Sequence, residues 1–290
     1  MKFFVTGGTG FVGTHFVRAA LEAGHQVVML KRPESKAFTP LEQRVTVVNF
    51  AMDGDLSHVF DGVDVLVHLA AHTPNPPYDT LDRCLYWNVY ASVHLASQAF
   101  QQGVRRFVIA GSCFEYGDAA AETDAIDEST PLRPNLSYPT SKAAASLAFE
   151  GFAREHNVFL KVMRLYQIYG EGEADFRFWP SLRRAALAGE DFHMSAGEQV
   201  RDFVHVEEVA RQLLDATGFE GETAGVPRVV PVATGHARSL ADFARQWWEH
   251  WGATGTLRLG AVPYRRNELM KLVPKMPERN LFHPPQEAGK

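Results

Sequence analysis

The sequence predicts an α/β fold in which a doubly wound parallel sheet is followed by a smaller C-terminal lobe. Two observations carry this prediction. Short apolar runs alternate with helical stretches from the first residues to Leu165, and a glycine-rich turn joins the first run to the first helix. Strands that alternate with helices form parallel sheets with helices on both faces.

The first elements have a β-α-β pattern. Residues 2–6 are apolar and rich in strand formers, residues 11–23 have helical periodicity, and residues 26–30 form a second apolar run. Further strands are predicted at residues 44–50, 64–69, 106–110 and 158–165. Long helical stretches are predicted at residues 81–102 and 137–155.

The regular alternation stops near residue 170. Beyond it we predict helices near residues 180–188, 207–217 and 240–251, and strands near Val204 and at 229–232. We therefore expect one domain over residues 1–170 and a smaller lobe over 171–290, with some segments of the lobe returning to the first domain.

Composition excludes several classes of protein. The chain has 290 residues, 46% of them hydrophobic and 22% charged, which is typical of globular proteins. The net charge is -5, and the cations are scattered along the chain without forming a basic stripe that could bind nucleic acid. No run of about 18 apolar residues predicts a membrane span. Only Cys84 and Cys113 are present, and the histidines lack metal-ligand spacing. We expect a metal-free, cytoplasmic protein.

The glycine-rich turn has the spacing expected of a dinucleotide site. Gly7, Gly10 and Gly13 follow a G-x-x-G-x-x-G pattern after the first strand, and Phe11 and Val12 begin the helix. Such a turn lets a pyrophosphate approach the backbone at the helix N-terminus. Residues 1–170 are thus predicted to be a Rossmann-type NAD(P)-binding domain.

The end of the second strand favours the phosphorylated cofactor. An acidic residue in this place accepts the ribose hydroxyls of NAD, whereas cations accompany the extra phosphate of NADP. Here the strand is followed by Lys31 and Arg32. The sequence therefore predicts NADP(H) as the preferred cofactor, with NAD(H) as the alternative.

Three residues predict proton transfer beside that cofactor. Tyr138 and Lys142 lie four residues apart on a predicted helix, so their side chains leave the same face. A free phenol has a pKa of about 10, and a nearby ammonium would lower it. Ser112 follows a strand at the carboxyl edge of the sheet and is placed to orient a carbonyl toward Tyr138. We predict these three residues as the catalytic set.

With these residues in hand, the chain resembles the extended short-chain dehydrogenase/reductase family, in its nucleotide-sugar epimerase, dehydratase and reductase branch. The resemblance runs nearly end to end. Besides the glycine turn and the residues 138–142, it rests on the motifs His68-Leu69-Ala70-Ala71, Asn88-Val89, Gly111-Ser112 with Tyr116-Gly117, residues 164–170 and residues 201–206.

The resemblance implies roles that the residues alone do not. It implies that further cofactor contacts come from Leu69, Ala70, Ala71, Tyr138, Lys142, Tyr166 and Ile168. It implies that the substrate, a nucleotide-diphosphate sugar, is bound by Cys113, Phe114, Gln167, Arg201 and Arg265. Two arginines suit a diphosphate because their forked donors match phosphate oxygens.

Departures from the family pattern bear on the reaction. The 4,6-dehydratases of this branch carry an Asp-Glu pair after the catalytic hydroxyl, and here those positions hold Cys113 and Phe114. Dehydration is therefore disfavoured. The closing pattern of the family is only loosely matched by Leu281-Phe282-His283-Pro284.

Three hypotheses follow from these observations. The first is an NADPH-dependent reductase of a nucleotide-activated 4-keto-6-deoxyhexose, acting in deoxysugar biosynthesis. The second is a nucleotide-sugar 4-epimerase with tightly bound NAD, which would use the same three catalytic residues. The third, from another class, is a redox-inactive nucleotide sensor with the same fold. By analogy with the family, we also expect a homodimer formed through the helical stretches 81–102 and 137–155.

Overall fold

Seven parallel strands form the central sheet in the computed structural model, which describes residues 1–35, 40–127, 129–265 and 268–276. The strands are β1 (Lys2–Thr6), β2 (Gln26–Lys31), β3 (Thr46–Asn49), β4 (Val65–His68), β5 (Arg106–Ser112), β6 (Phe159–Leu165) and β10 (Arg228–Val232). They are arranged in the order β10-β6-β5-β4-β1-β2-β3. The predicted α/β fold with a parallel sheet is confirmed.

Helices cover both faces of this sheet. These are α1 (Phe11–Glu22) and α6 (Val206–Asp215) on one face, and α3 (Ser92–Gln101) and α4 (Ser137–His156) on the other. The short helix α2 (Leu81–Leu85) comes before α3, and α5 (Phe178–Ala188) and α7 (Leu240–His250) pack in the core of the smaller lobe. One core holds Phe16 of α1 and Leu213 of α6, and the core on the other face holds Leu95 of α3 and Phe149 of α4. Because apolar side chains leave both faces of the strands, the sheet is buried on both sides.

The smaller lobe has its own sheet and its own core. Its strands are β7 (Gln167–Tyr169), β8 (Phe192–His193), β9 (Val200–His205), β11 (Ala237–Ser239), β12 (Leu257–Arg258) and β13 (Lys271–Leu272). Strand β9 pairs with β7, β11 and β13, while β8 and β12 form a separate pair. Aromatic rings fill the core of this lobe, among them Trp179, Phe203, Phe243 and Trp247.

The chain crosses between the two parts more than once. Strand β10 comes from the second half of the sequence but pairs with β6 of the central sheet, and α6 packs beside α1. No helix among the described residues is long and apolar enough to cross a membrane. The closing pattern at residues 281–284 lies outside the described residues.

The topology determines where a ligand can bind. Strands β1 and β4 are neighbours, and the order of the strands reverses between them, with β2 and β3 on one side and β5 and β6 on the other. Open α/β sheets bind ligands at the carboxyl ends of the strands at such a reversal. The glycine turn follows β1 and the motif at residues 68–71 follows β4, so both lie at this place.

Candidate active site

The glycine loop, residues 7–13, is shaped by close approach of backbone to backbone. A Cβ atom at Gly7 would lie 2.6 Å from the Ala70 backbone nitrogen, and one at Gly13 would lie 2.0 Å from the Gly7 carbonyl oxygen. Gly7 also has φ of +71°, a conformation that side chains rarely adopt. Both positions therefore require glycine.

Helix α1 begins at Phe11, inside this loop, without a side-chain cap. Gly10 is its N-cap residue, no side chain accepts from the first amide groups, and the first turn holds no acidic residue. The amide groups at a helix N-terminus favour a bound anion. The chain thus offers a pyrophosphate the uncapped N-terminus of α1, and the residues fit a dinucleotide.

The floor of the site joins the ends of β1 and β4. The Thr6 hydroxyl lies 2.8 Å from Nδ1 of His68 and accepts a hydrogen bond of 3.2 Å from the Ala70 amide. Burial lowers the pKa of His68 to about 3, so the imidazole is neutral at physiological pH. This arrangement fixes Leu69 and Ala70 beside the glycine loop, and the exposed Ala71 follows them.

The two cations at the end of β2 differ in their surroundings. Lys31 forms an ion pair of 3.1 Å with Glu42, and both side chains are mostly buried. Arg32 is exposed and forms no ion pair with another described residue. Of the two predicted phosphate ligands, Arg32 is therefore the one whose charge is not already paired.

The structure brings the three predicted catalytic residues to the carboxyl edge of the sheet. Ser112 ends β5, and Tyr138 and Lys142 lie in the first two turns of α4. All three side chains are buried, and the hydroxyl groups of Ser112 and Tyr138 are hydrogen-bonded. The Lys142 ammonium donates to the Ala110 carbonyl at 2.6 Å.

The direction of the phenol's pKa differs from the sequence prediction. Burial raises the pKa of Tyr138, and the charges of Tyr78 and Glu115 act in the same direction, while the Ser112 hydrogen bond opposes them. The expected lowering by Lys142 is wrong for this structure, because desolvation dominates and the ammonium is bonded to a backbone carbonyl. Burial also lowers the pKa of Lys142 itself.

A buried ionic network supports Ser112 from behind. Glu115 is fully buried and accepts from the Ser112 amide at 2.7 Å and from the Ser146 hydroxyl at 2.8 Å. Arg164 donates to Glu115 at 3.0 Å and to the Tyr116 hydroxyl at 2.6 Å. Burial raises the pKa of Glu115, and the charges of Arg164 and Lys142 oppose this shift.

A second polar contact holds α4 against the segment after β4. Asn88 lies in a π-helical segment, Tyr86–Ala91, that connects α2 to α3. Its amide nitrogen donates to the Ser141 hydroxyl at 2.9 Å, and its carbonyl oxygen accepts from the His72 amide at 2.7 Å. Since Ser141 adjoins Lys142, this contact helps to fix the orientation of the catalytic helix.

The predicted substrate residues lie on two sides of the site. Cys113 is buried next to Ser112, and burial raises the pKa of its thiol to about 12, so it is no nucleophile at neutral pH. Phe114 and Gln167 are half-buried. Tyr166 is buried directly after β6, and Ile168 is half-buried in β7.

The two predicted phosphate-binding arginines differ. Arg201 in β9 is buried, forms an ion pair of 3.1 Å with Glu268, and also donates to the Leu269 carbonyl. Arg265 is exposed. A diphosphate at Arg201 would share that guanidinium with Glu268, whereas Arg265 presents its charge to solvent.

Comparison with known proteins agrees with this geometry. Residues 3–222 match the model of the NAD dependent epimerase/dehydratase family. The chain belongs to this family. The expected kinship with nucleotide-sugar epimerases, dehydratases and reductases is confirmed, and the chain is an enzyme of this family.

Members of the family with different reactions are similar to this chain. A dTDP-glucose 4,6-dehydratase of Mycolicibacterium smegmatis is 29% identical over 75% of this chain and 70% of its own length. A dTDP-4-dehydro-6-deoxy-D-allose reductase of Streptomyces bikiniensis is 29% identical over 88% of this chain and 82% of its own. The structure of UDP-glucose 4-epimerase from Thermotoga maritima has a TM-score of 0.80 at 23% identity, covering 94% of this chain and 89% of that one. Membership of the epimerase/dehydratase family therefore leaves the reaction open.

Sequence reasoning about the family missed the ionic network. Glu115 was not among the predicted residues, although Ser112 and Glu115 have the S-x-x-E spacing of a capping box, which is present in the structure. Arg164 appeared only as part of a motif. No sequence signal indicated that these two residues would meet under the catalytic serine.

Proposed function

We propose that this enzyme is an NADPH-dependent reductase that converts a nucleotide-activated 4-keto-6-deoxyhexose to its 4-hydroxy sugar. The observation that carries the proposal is the placement of Ser112, Tyr138 and Lys142 together at the carboxyl edge of the sheet, beside a turn whose carboxylate is already engaged by Ser146 and Arg164. The buried phenol of Tyr138 holds its proton at neutral pH, and a ketoreductase needs a proton donor at the start of its reaction.

The residues around Ser112 support the same direction. Cys113 and Phe114 follow Ser112 where a dehydratase would have its acid and base, and neither exchanges protons at neutral pH. The only carboxylate of this turn, Glu115, is bound by Ser146 and Arg164 and is fully buried. Reduction needs no acid besides the phenol, so the turn suits it better than elimination of water.

Each side chain has one task in the proposed reaction. When bound, the nicotinamide supplies a hydride to the carbonyl carbon. Tyr138 gives its proton to the carbonyl oxygen, and Ser112 donates a hydrogen bond to the developing alkoxide. Lys142, whose ammonium donates to the Ala110 carbonyl, would hold the ribose of the nicotinamide nucleotide.

We propose that the nucleotide diphosphate lies on the side of the lobe. Arg265 presents an exposed guanidinium there, and Arg201 contributes from β9 while remaining bonded to Glu268. Forked guanidinium donors match phosphate oxygens in pairs. Gln167 and the walls formed by Cys113 and Phe114 would then border the sugar.

The preference for NADPH rests on Arg32. Its exposed guanidinium at the end of β2 is available to a 2′-phosphate, while Lys31 is engaged by Glu42. The Lys31–Glu42 pair is also the observation that favours the second candidate, a 4-epimerase holding NAD. A carboxylate near the adenosine ribose suits the unphosphorylated cofactor.

Two measurements separate these candidates. Denaturing the purified protein releases any bound cofactor for identification, and a turnover screen offers NADPH or NADH with 4-keto-6-deoxyhexoses on four different nucleotides. We expect consumption of NADPH by at least one of them, and a loss of kcat of roughly 10²- to 10⁴-fold in Tyr138→Phe. Tyr90→Phe, which removes a hydroxyl from a ring that is 59% exposed, is the matched control.

The opposite outcome is equally specific. Stoichiometric NAD released from the protein, together with interconversion of nucleotide sugars without added cofactor, would replace the reductase by the epimerase. Turnover of neither kind, with no biological effect of Tyr138→Phe, would instead favour the sensor.

We also propose that the enzyme is a homodimer. Large apolar side chains are exposed on the two predicted helical stretches: Tyr86, Tyr90 and Leu147 are 42%, 59% and 60% exposed. Neighbouring exposed apolar groups of this size mark interfaces more often than scattered single residues do. Sedimentation should give a dimer for the native chain and a monomer for Tyr90→Glu, and a native monomer would contradict the proposal.

A further inference from the structure

The segment between β4 and α2, residues 72–80, is held firmly against the catalytic helix. The His72 ring lies 2.8 Å from the Asp79 carboxylate, which also pairs with Arg83 at 2.9 Å. The Ser137 hydroxyl donates to the Asp79 carbonyl at 2.7 Å. Because Ser137 directly precedes Tyr138, the residue before Asp79 is fixed relative to the catalytic phenol.

That residue is Tyr78, and its ring packs on the ring of Tyr138. The two centroids are 5.3 Å apart and the planes are inclined by 30°. Offset aromatic pairs at such distances are favourable beyond the area that they bury. Tyr138 is buried and Tyr78 is half-buried, so Tyr78 lies between the catalytic phenol and the solvent on one side.

The surroundings of Tyr78 extend toward the lobe. Burial raises the pKa of Tyr78, while the charges of Arg177 and Arg265 act in the opposite direction. Arg177 precedes α5 and Arg265 follows β12, so both belong to the lobe. Tyr78 therefore contacts the catalytic phenol and also feels the charge of cations in the lobe.

We propose that Tyr78 is a positioning residue, whose ring fixes the orientation of Tyr138 and keeps water from it, and whose hydroxyl bonds to the substrate on the lobe side. This inference rests on the proposed reductase function, because the orientation of Tyr138 affects turnover only if Tyr138 takes part in the reaction. No part of the sequence prediction assigns a role to Tyr78.

Removing the ring tests the first half of the proposal. In Tyr78→Leu we expect kcat to fall about tenfold, because a freely rotating phenol is less often placed for proton transfer. The high-pH limb of kcat should move to lower pH by about one unit. The reason is that water then stabilises the phenolate, which lowers the pKa of Tyr138, and a reductase loses activity as its acid ionises. The other groups that raise this pKa, Glu115 and Cys113, are unchanged.

Removing only the hydroxyl tests the second half. Tyr78→Phe keeps the ring, so kcat and its pH limb should stay as in the native enzyme, while KM rises about threefold to tenfold for the loss of one hydrogen bond. Phe219→Leu removes a half-buried ring that packs on Phe159 at the opposite, amino edge of the sheet, and it should change neither quantity.

A titration without substrate separates this proposal from the proposed function. The ultraviolet absorbance of tyrosinate, measured with and without Tyr138, reports the ionisation of that phenol directly. Ionisation of Tyr138 at lower pH in Tyr78→Leu would support the positioning role even if no keto sugar were reduced. An unshifted Tyr138 in Tyr78→Leu, or a Tyr78→Phe enzyme with the same kcat loss as Tyr78→Leu, would overturn it.

Discussion

The glycine loop and the turn that follows β5 lie on the same edge of the sheet, yet different forces shape them. The glycine loop is defined by backbone atoms, because Cβ atoms at Gly7 and Gly13 would overlap neighbouring main chain. The turn at residues 112–117 is defined by buried polar side chains, of which Glu115 forms an ion pair of 3.0 Å with Arg164 of β6. The shape of the backbone thus determines the glycine loop, whereas a buried ion pair determines the turn.

The difference matters for how each place responds to change. A backbone site has no side chain to lose, and only an added atom disturbs it. A buried ion pair is disturbed when either partner is removed, because the remaining charge stays desolvated. A substitution that adds atoms should therefore destabilise the glycine loop, whereas a substitution that removes one charged side chain should destabilise the turn after β5.

The largest effect is expected at the ionic network. Arg164→Leu should lower the free energy of unfolding by about 3–5 kcal/mol, since Glu115 is then left buried without its cation. Chemical denaturation measures this change. Arg154→Leu, which removes the exposed Arg154–Glu150 pair on α4, should change it by less than about 1 kcal/mol.

The double variant Glu115→Leu with Arg164→Leu sharpens this test. Removing both charges should restore much of the lost stability, because no charge then remains buried alone. If Arg164→Leu changed the free energy of unfolding as little as Arg154→Leu, the ionic network would not contribute to stability. That result would contradict the proposed difference between the glycine loop and the turn after β5.

A smaller effect is expected at the glycine loop. Gly13→Ala should reduce stability by about 1–3 kcal/mol through overpacking and should weaken cofactor binding, because the added methyl group meets the Gly7 carbonyl. Gly151→Ala in α4 is the matched control, since a Cβ there meets nothing within 4 Å. It should leave stability unchanged or raise it by about 0.5–1 kcal/mol. Equal behaviour of the two variants would contradict the shape argument.

The smallest effect concerns the adenosine end of the cofactor. Arg32→Ala should weaken NADPH binding about tenfold, or ~1.4 kcal/mol, and leave NADH binding unchanged. Glu42→Gln should act in the opposite direction, because Lys31 then loses its carboxylate partner. Fluorescence titration with each cofactor measures both. A chain that binds NADH more tightly than NADPH in every variant would show that Arg32 does not determine the choice.

Much of the fold could be predicted from periodicity. The β-α-β start, the helix found at Ser137–His156 and the strand found at Arg228–Val232 all have strong local patterns. The short strands β8, β12 and β13 have two residues each and were not predicted. They form because segments that lie beside them in space supply their hydrogen-bond partners, and a local sequence pattern does not predict such pairing.

The same distinction applies to the candidate site. Spacing predicted that Ser112, Tyr138 and Lys142 would meet, because a strand end and one helix face place them. Spacing did not predict the sign of the pKa shift of Tyr138, which depends on burial by Tyr78 and the surrounding core. Nor did it predict the engagement of Lys31 by Glu42 or of Arg201 by Glu268, since both pairs join distant parts of the chain.

The return of β10 to the central sheet limits how the molecule can be divided. Asp202, beside Arg201, accepts hydrogen bonds from the Thr234 and Gly235 amides just after that strand, at 2.8 and 2.7 Å. A fragment ending at residue 170 would expose the unpaired edge of β6 and lose the partner of α1. Separate production of the two halves should therefore give insoluble or unfolded material, and evolution could exchange the lobe only together with a strand of the nucleotide-binding sheet.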